Sequence, residues 1–465
     1  MRLLVGLHKV GTLLVLAVLT PAALAQNVIL IVGDGMDDHQ ITMARNYLHG
    51  ARGQLSLDKL PVRGAVQVVT LDHDDPSKVI YVADSANSAT AIATGQITSR
   101  GRISTTADTD SDLRPITADL KQAGYSVGIV TTASVTDATP AVFMANVSQR
   151  FCENPEMMVQ AKIGGNWYAD CEADLIAKGG KGSISEQVAA SKVDVVLGGG
   201  LKHFIPKAEG SEESVLEQAQ SAGFVFVDTL EALEQTIDDS DSRILGLFSP
   251  STMPVRWQAT GGMAAEQPEP SILNHVHEYL GDVTLPTPVQ CEGNPDYGNT
   301  PPLAHLTKAA ITQLSKRSEK GFFLMVESAS IDKQSHARRP CGQIGELQQL
   351  DEALKVALDF AADRADTLVL VTADHGQAAQ IIPNNSLFNG YGIPVYTPGR
   401  LQRLITPEGA VMAMNYATNE FQAEEHTGVN IPLLANDQGQ GIVPSFLMQS
   451  DIYGLIRGYF FPETL

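Results

Sequence analysis

Asp84-Ser85-Ala86 opens a run of small residues, Asn87 to Gly95, that reads as a helix. A serine in the first turn of a helix lies among unpaired backbone N–H groups at the positive end of the dipole, a ready place for a phosphate. A bare hydroxyl is a poor nucleophile at neutral pH, so chemistry at Ser85 needs a base or a metal to activate it. Taken alone, Asp84-Ser85 is simply a helix N-cap. Candidate activators are plentiful, however. Asp332 and His336 stand at i and i+4, so on a helix they share one face and hold one ion. Asp374-His375 follows an apolar run, Asp34 sits between Gly33 and Gly35 at the end of another, and His426 lies in Glu425-His426-Thr427-Gly428. Asp137 and Thr139 offer only oxygen, a donor set suited to a hard ion such as magnesium. Each has a bland reading as a solvated helix face, a turn or a cap. Beside a capped serine they favour one multi-ion centre, because a purely structural account needs a separate reason for each.

The elements that must position these groups are legible as well. Val28–Val32, Val127–Val130, Val193–Leu197, Phe322–Val326 and Leu368–Val371 are short apolar runs, each followed by glycine or a polar residue. Such runs suit strands buried on both faces of a parallel sheet. Helical patterns lie between them: Pro115–Ala123, the stripe Leu303, Leu306, Ala310 and Leu314, and the stripe Leu347, Leu350, Leu354 and Leu358. The alternation predicts an α/β three-layer sandwich with a large, mostly parallel central sheet flanked by helices. Sites in that architecture lie beyond the carboxyl ends of the strands, which gathers Asp34, Glu327, Asp374 and His375 at one edge. No internal repeat or low-complexity tract interrupts the pattern. One domain over 26–465 is expected, with surface insertions near 262–302 and 384–408.

The 465 residues carry a formal charge of −21 and 43% hydrophobic residues, normal for a folded protein with a sizeable core. The acidity argues against nucleic acid or an anionic membrane as partner, and an anionic substrate needs local cations to reverse the field. Arg2 and Lys9, the apolar run Val10–Leu24 and the Ala23-Leu24-Ala25 site predict a signal peptide over 1–25, with a mature chain beginning at Gln26 and exported. No other apolar run is long enough to cross a bilayer. Four cysteines, Cys152, Cys171, Cys291 and Cys341, suggest two disulfides in an exported protein. Spacing leaves all three pairings open, and the lack of a C-x-x-C pair speaks against a cysteine metal cluster.

The stretches Ile31-Val32-Gly33-Asp34-Gly35-Met36, Asp84-Ser85-Ala86, Asp137-Ala138-Thr139-Pro140-Ala141, Arg150-Phe151-Cys152 and Leu197-Gly198-Gly199-Gly200 occur in that order. Gly321 through Glu346, with Glu327, Asp332, Lys333 and His336, then Val371 through His375 and Glu425 through Gly428, complete a set that resembles bacterial alkaline phosphatases of the enteric periplasmic type. The likeness covers nearly all of the mature chain. It implies a periplasmic or secreted phosphomonoester hydrolase with Ser85 as the nucleophile that becomes phosphoserine. It implies two zinc ions and one magnesium ion per chain. Asp332, His336 and His426 resemble the ligands of one zinc, and Asp34, Asp374, His375 and Ser85 those of the other. Asp34, Asp137, Thr139 and Glu327 resemble the magnesium site, since Asp137 with Lys333 matches the magnesium-type variant. Arg150 resembles the arginine that grips phosphate, and Lys333 the lysine that reaches it through water. Cys152–Cys171 and Cys291–Cys341 match the family's disulfides. In this scheme the ions activate Ser85 and then the water that cleaves the phosphoserine.

The chain also departs from the pattern. Asp37 stands where the family has glycine, an extra carboxylate that either adjusts metal affinity or is solvated; solvation is the simpler expectation. Asn87 replaces a small residue and is a modest helix former. Eight residues, Gln26 to Gly33, precede Asp34 in the expected mature chain, so a homodimer is implied without the long N-terminal arm of the enteric enzymes. Rival readings fit less well. A sulfatase needs C-x-P-x-R, which Cys152-Glu153-Asn154-Pro155-Glu156 does not supply. A diesterase is expected to lack Arg150, Lys333 and the magnesium set, and a metal-storing protein leaves Ser85 and Arg150 unexplained. No G-x₄-G-K-[ST] loop is present.

Overall fold

In a computed structural model, residues 25–462 are described apart from 164–165, 238, 240, 278–279 and 385–398. Residues 1–24 of the signal peptide expected over 1–25 and much of the insertion expected near 384–408 lie outside the described residues. Ten strands form the central sheet: β1 (Asn27–Gly33), β2 (Val62–Gln67), β3 (Ser126–Ser134), β4 (Val195–Gly199), β5 (Phe224–Val227), β6 (Arg243–Leu247), β7 (Phe322–Ser328), β8 (Thr367–Ala373), β9 (Ile431–Ala435) and β10 (Phe446–Met448). Their spatial order is β10-β2-β9-β8-β1-β7-β3-β4-β6-β5. Only β9 runs against the rest, pairing antiparallel with β8 and β2. Every residue of β1, β3, β7 and β8 is buried, which is why these segments read as unbroken apolar runs rather than alternating ones.

Helices cover the sheet. Helix α1 spans Asp38–His49, α2 Ser85–Thr94, α3 Ala138–Ala141, α4 Leu303–Arg317, α5 Ser330–His336 and α6 Pro340–Ala361. Helix α6 packs on α1, α4 and α5 and crosses β1, β7 and β8, burying Leu347, Leu350 and Leu354 completely. The disulfides Cys152–Cys171 and Cys291–Cys341 are formed, the pairing that the family resemblance implied. Between 262 and 302 the chain is mostly irregular, and Ile272 and Val276 are exposed there. Strand Arg400–Ile405 pairs with Val411–Tyr416 in a small separate sheet and buries Leu401 and Leu404.

Register decides what the sheet presents. Gly33 pairs with both Ser328 and Ala373, and Glu327 pairs with Thr131. The carboxyl ends of β1, β7, β8 and β3 therefore finish level, and the loops after them open on the same rim.

Candidate active site

Two groups of three ligand-type side chains form on that rim. Asp34 leaves β1, while Asp374 and His375 leave β8. His375 Nε2 stands 3.4 Å from Asp34 Oδ1 and 3.3 Å from Asp374 Oδ2. Gly35 turns at φ +67°, and a Cβ there would come within 3.0 Å of Asp332 Cβ, so glycine lets the chain pass close under the second group. That second group is Asp332, His336 and His426. Helix α5 does put Asp332 and His336 on one face, with His336 Nε2 3.3 Å from Asp332 Oδ2. His426 arrives from far along the chain. It pairs with Gln377 in a two-stranded ladder, stacks on His375 at 3.7 Å between ring centroids and reaches Asp332 Oδ1 at 3.3 Å. The ring nitrogens of His336 and His426 are turned by backbone oxygens of Glu424 and Ala83. Within each group the donor atoms lie within 4.8 Å of one another.

Ser85 is the first residue of α2, and Asp84, not Ser85, caps the helix by accepting from the Asn87 N–H at 3.0 Å. The Ser85 hydroxyl is thus left free for other work, 3.2 Å from His375 Nε2. Asn87 is accounted for too. Its side chain accepts from the Asp84 N–H at 2.9 Å and donates to Val69 O at 3.3 Å, closing a capping box. The cleft over Ser85 has a volume of about 480 Å³ and includes Arg150, Lys333, Asp332, His336 and His426 in its lining.

Asp137 caps α3 and takes two of the cleft's cations: Arg150 Nη2 on Oδ1 at 2.9 Å and Lys333 Nζ on Oδ2 at 2.5 Å. Arg150 also meets Asp84 Oδ2 at 3.3 Å. Both oxygens of Asp137 are therefore engaged. Glu327, buried at the end of β7, accepts from Thr131. Thr139, also buried, presents a hydroxyl with no partner.

The electrostatics are those of a cage of acids. Burial, reinforced by Asp374, Asp332 and Glu327, holds the Asp34 carboxyl well above the usual range. Burial and Asp137, against the Thr131 hydrogen bond, push Glu327 up to about 8. Burial opposes charge on His426, but Asp332 outweighs it and pushes the ring up to about 9. Burial likewise works against Asp137, yet Lys333 and Arg150 override it and hold the carboxyl far below its ordinary value. Divalent cations fit this donor set on chemical grounds. Asp34 Oδ1, Asp374 Oδ2 and Thr139 Oγ1 are buried without a hydrogen-bond partner, a costly state that a cation relieves. Four carboxylates crowded with three imidazoles need positive charge between them, and protons supply it only partly.

One expectation is corrected. Asp37 is buried, 3% exposed, rather than solvated. It caps α1, accepting from the His39 N–H at 2.7 Å while Gln40 closes the box, so its place is dictated by the helix start. Sequence reasoning also missed Glu153 and His203 behind the Asp137 loop. Glu153 Oε2 accepts from Thr136 Oγ1 at 2.6 Å and lies 3.0 Å from His203 Nε2. Burial and Asp137 push Glu153 up to about 7, and burial with Lys202 brings His203 down to about 4. Nothing in local spacing announces this pair, which three loops bring together.

The family model described as Alkaline phosphatase matches residues 25–450. The chain belongs to the alkaline phosphatase family. Alkaline phosphatase of Escherichia coli (strain K12) is 39% identical over 435 residues, covering 92% of this chain and 84% of that protein. Streptomycin-6-phosphate phosphatase of Streptomyces griseus is also 39% identical, over 421 residues, 88% of this chain and 85% of its own length. Among solved structures, alkaline phosphatase from the Antarctic bacterium TAB5 superposes with a TM-score of 0.65 at 20% identity, covering 94% of this chain and 98% of that one, a likeness of fold. The large, mostly parallel sheet flanked by helices is thus an alkaline phosphatase fold, and the protein is an enzyme of the phosphoric monoester hydrolase class.

Proposed function

We propose that the chain hydrolyses phosphate monoesters through a phosphoserine at Ser85, with a broad substrate range, an alkaline optimum and release of inorganic phosphate outside the cytoplasm. The observation that carries this reading is the Ser85 hydroxyl at a helix start, 3.2 Å from His375 Nε2 of the buried Asp34–Asp374–His375 group, in a cleft lined by Arg150 and by Asp332, His336 and His426. Asp332, His336 and His426 would hold one zinc ion, and Asp34, Asp374 and His375, with Ser85, the second. Asp34, Asp137, Thr139 and Glu327 would serve magnesium, with Asp137 acting at one remove because Arg150 and Lys333 occupy its oxygens. Bound there, the ions supply Lewis-acid charge that lowers the pKa of the serine hydroxyl and of water and offsets charge on the leaving oxygen.

The chain's own groups do the rest. Ser85 Oγ bonds to phosphorus as the ester P–O bond breaks, and the departing oxygen leaves as an alcohol after taking a proton. The N–H groups of α2 and the planar fork of Arg150 bind the non-bridging oxygens. Asp137 pre-orients Arg150 and Lys333, so little side-chain freedom is lost when the anion arrives. Water then attacks phosphorus, the Oγ–P bond breaks and Ser85 recovers its proton. The family resemblance further supports export, a single domain over 26–465 and pairing of two copies.

The test is elemental analysis of the purified protein together with rates on p-nitrophenyl phosphate and bis-p-nitrophenyl phosphate. Two zinc and one magnesium per chain and a strong preference for the monoester are expected. Activity in a metal-free protein, or preference for the diester, overturns the proposal.

A further inference from the structure

The structure assigns a positioning role to the buried ion pair Arg338–Glu424, which aims His336 and His426 at the ion they share; the assignment rests on the metal reading above. Helix α5 closes with paired hydrogen bonds, Arg338 N–H to Ser335 O and Arg339 N–H to Gln334 O, both at 2.8 Å. That closure places Arg338 at φ +56°, the left-handed position that glycine usually fills because it lacks a Cβ. Glycine would make the same turn with less strain, so the reason for arginine lies in its side chain.

That side chain is buried and spans to the loop carrying His426. Its Nε donates to Glu424 Oε2 at 2.7 Å, Nη1 to Gln422 O at 3.2 Å, and Nη2 to both Asn419 O and Asn419 Oδ1 at 3.3 Å. Glu424 is 0% exposed, and its other oxygen accepts from the Thr418 N–H at 2.6 Å and from Thr418 Oγ1 at 2.5 Å. The backbone of the same residue clasps His336: the Glu424 N–H donates to His336 O at 3.1 Å, and Glu424 O faces His336 Nδ1. With Nδ1 engaged, His336 Nε2 is left to ligate, and it stands 3.1 Å from His426 Nε2, two residues beyond Glu424. A buried ion pair stabilises a fold weakly compared with apolar packing but fixes orientation in both partners. Here it locks the helix end that bears one ligand to the loop that bears another.

The test uses the zinc-loaded full chain, Glu424→Gln, and the double variant Arg338→Gly with Glu424→Gln, which relaxes the turn and strands no buried charge. Zinc release to excess chelator is followed by absorbance, and the phase missing from His426→Ala is assigned to the Asp332–His336–His426 group. That phase is expected to quicken about 10- to 100-fold in the double variant, the scale of losing an outer partner of a ligating histidine. Release from Asp34–Asp374–His375 should hold its parent rate. Equal quickening of both phases means general loosening and overturns the assignment, as does parent-like release of both ions. A parent chain that takes up no zinc at either group overturns the metal reading and this assignment with it.

Discussion

The hydroxyl of Ser85 does little for the fold, since Asp84 caps α2 and Ala is the better helix former. Ser85→Ala should therefore leave the melting temperature and metal content unchanged while turnover of p-nitrophenyl phosphate falls at least about 10³-fold. Retained full turnover would remove Ser85 from the nucleophile's place. Glu153 carries a prediction in pH. Its folded pKa, about 7, lies above the ordinary glutamate value of 4.5. The stability its proton confers is thus fully present below 4.5 and is lost as pH rises through about 7. Glu153→Gln keeps an acceptor for Thr136 and does not titrate. Calorimetry should show the variant's melting temperature gaining on the parent's between pH 5 and pH 8; parallel curves would mean that Glu153 is ionised throughout.

At the scale of elements, the site depends on how segments begin and end. Helix α2 must start at Ser85, and the Asp84–Asn87 capping box sets that start. Asn87→Ala keeps the Asp84 cap but loses the reciprocal bond and the contact with Val69, and should cost about 1 kcal/mol. The urea midpoint reports it, with kcat unchanged. A kinetic loss without a stability loss would place Asn87 in substrate binding instead. The two-residue ladder of His426 with Gln377 is the other critical end, because it delivers a proposed ligand from a loop with no strong pattern of its own.

Across the whole molecule, a formal charge of −21 surrounds a cleft that must receive an anion. Arg150 and Lys333, held on Asp137, offset part of that charge locally, and bound cations would complete the reversal. The carboxylates of Asp34, Glu327, Asp332 and Asp374 converge from β1, β7, α5 and the end of β8, so removing cations sets strand ends against one another. Chelation should abolish activity and lower the melting temperature, and both should return with zinc and magnesium. The metal-free protein should also be pH-sensitive. Glu327 is raised to about 8, so the stability held by its proton disappears as pH climbs through that value, and the gap to the loaded protein widens. An unfolding temperature indifferent to chelator would contradict a multi-ion centre.

Sequence alone determined five of the ten central strands, β1, β3, β4, β7 and β8, the helical stripes Leu303 to Leu314 and Leu347 to Leu358, and the rim on which Asp34, Glu327, Asp374 and His375 sit, because both-faces burial leaves an apolar signature in a contiguous run. It also contained Asp332 and His336 as one helical pair, since a spacing of four is local geometry. Only the tertiary structure decided the rest. It brought Asp84, Asp137, Arg150 and Lys333 into one charge network, buried Asp37 as a helix cap, joined Glu153 to His203 and tied Arg338 to Glu424. Apart from the local Asp37 cap, these are contacts between segments distant in the chain, and no periodicity encodes them; they exist because strand register stacks separate turns on one edge of the sheet.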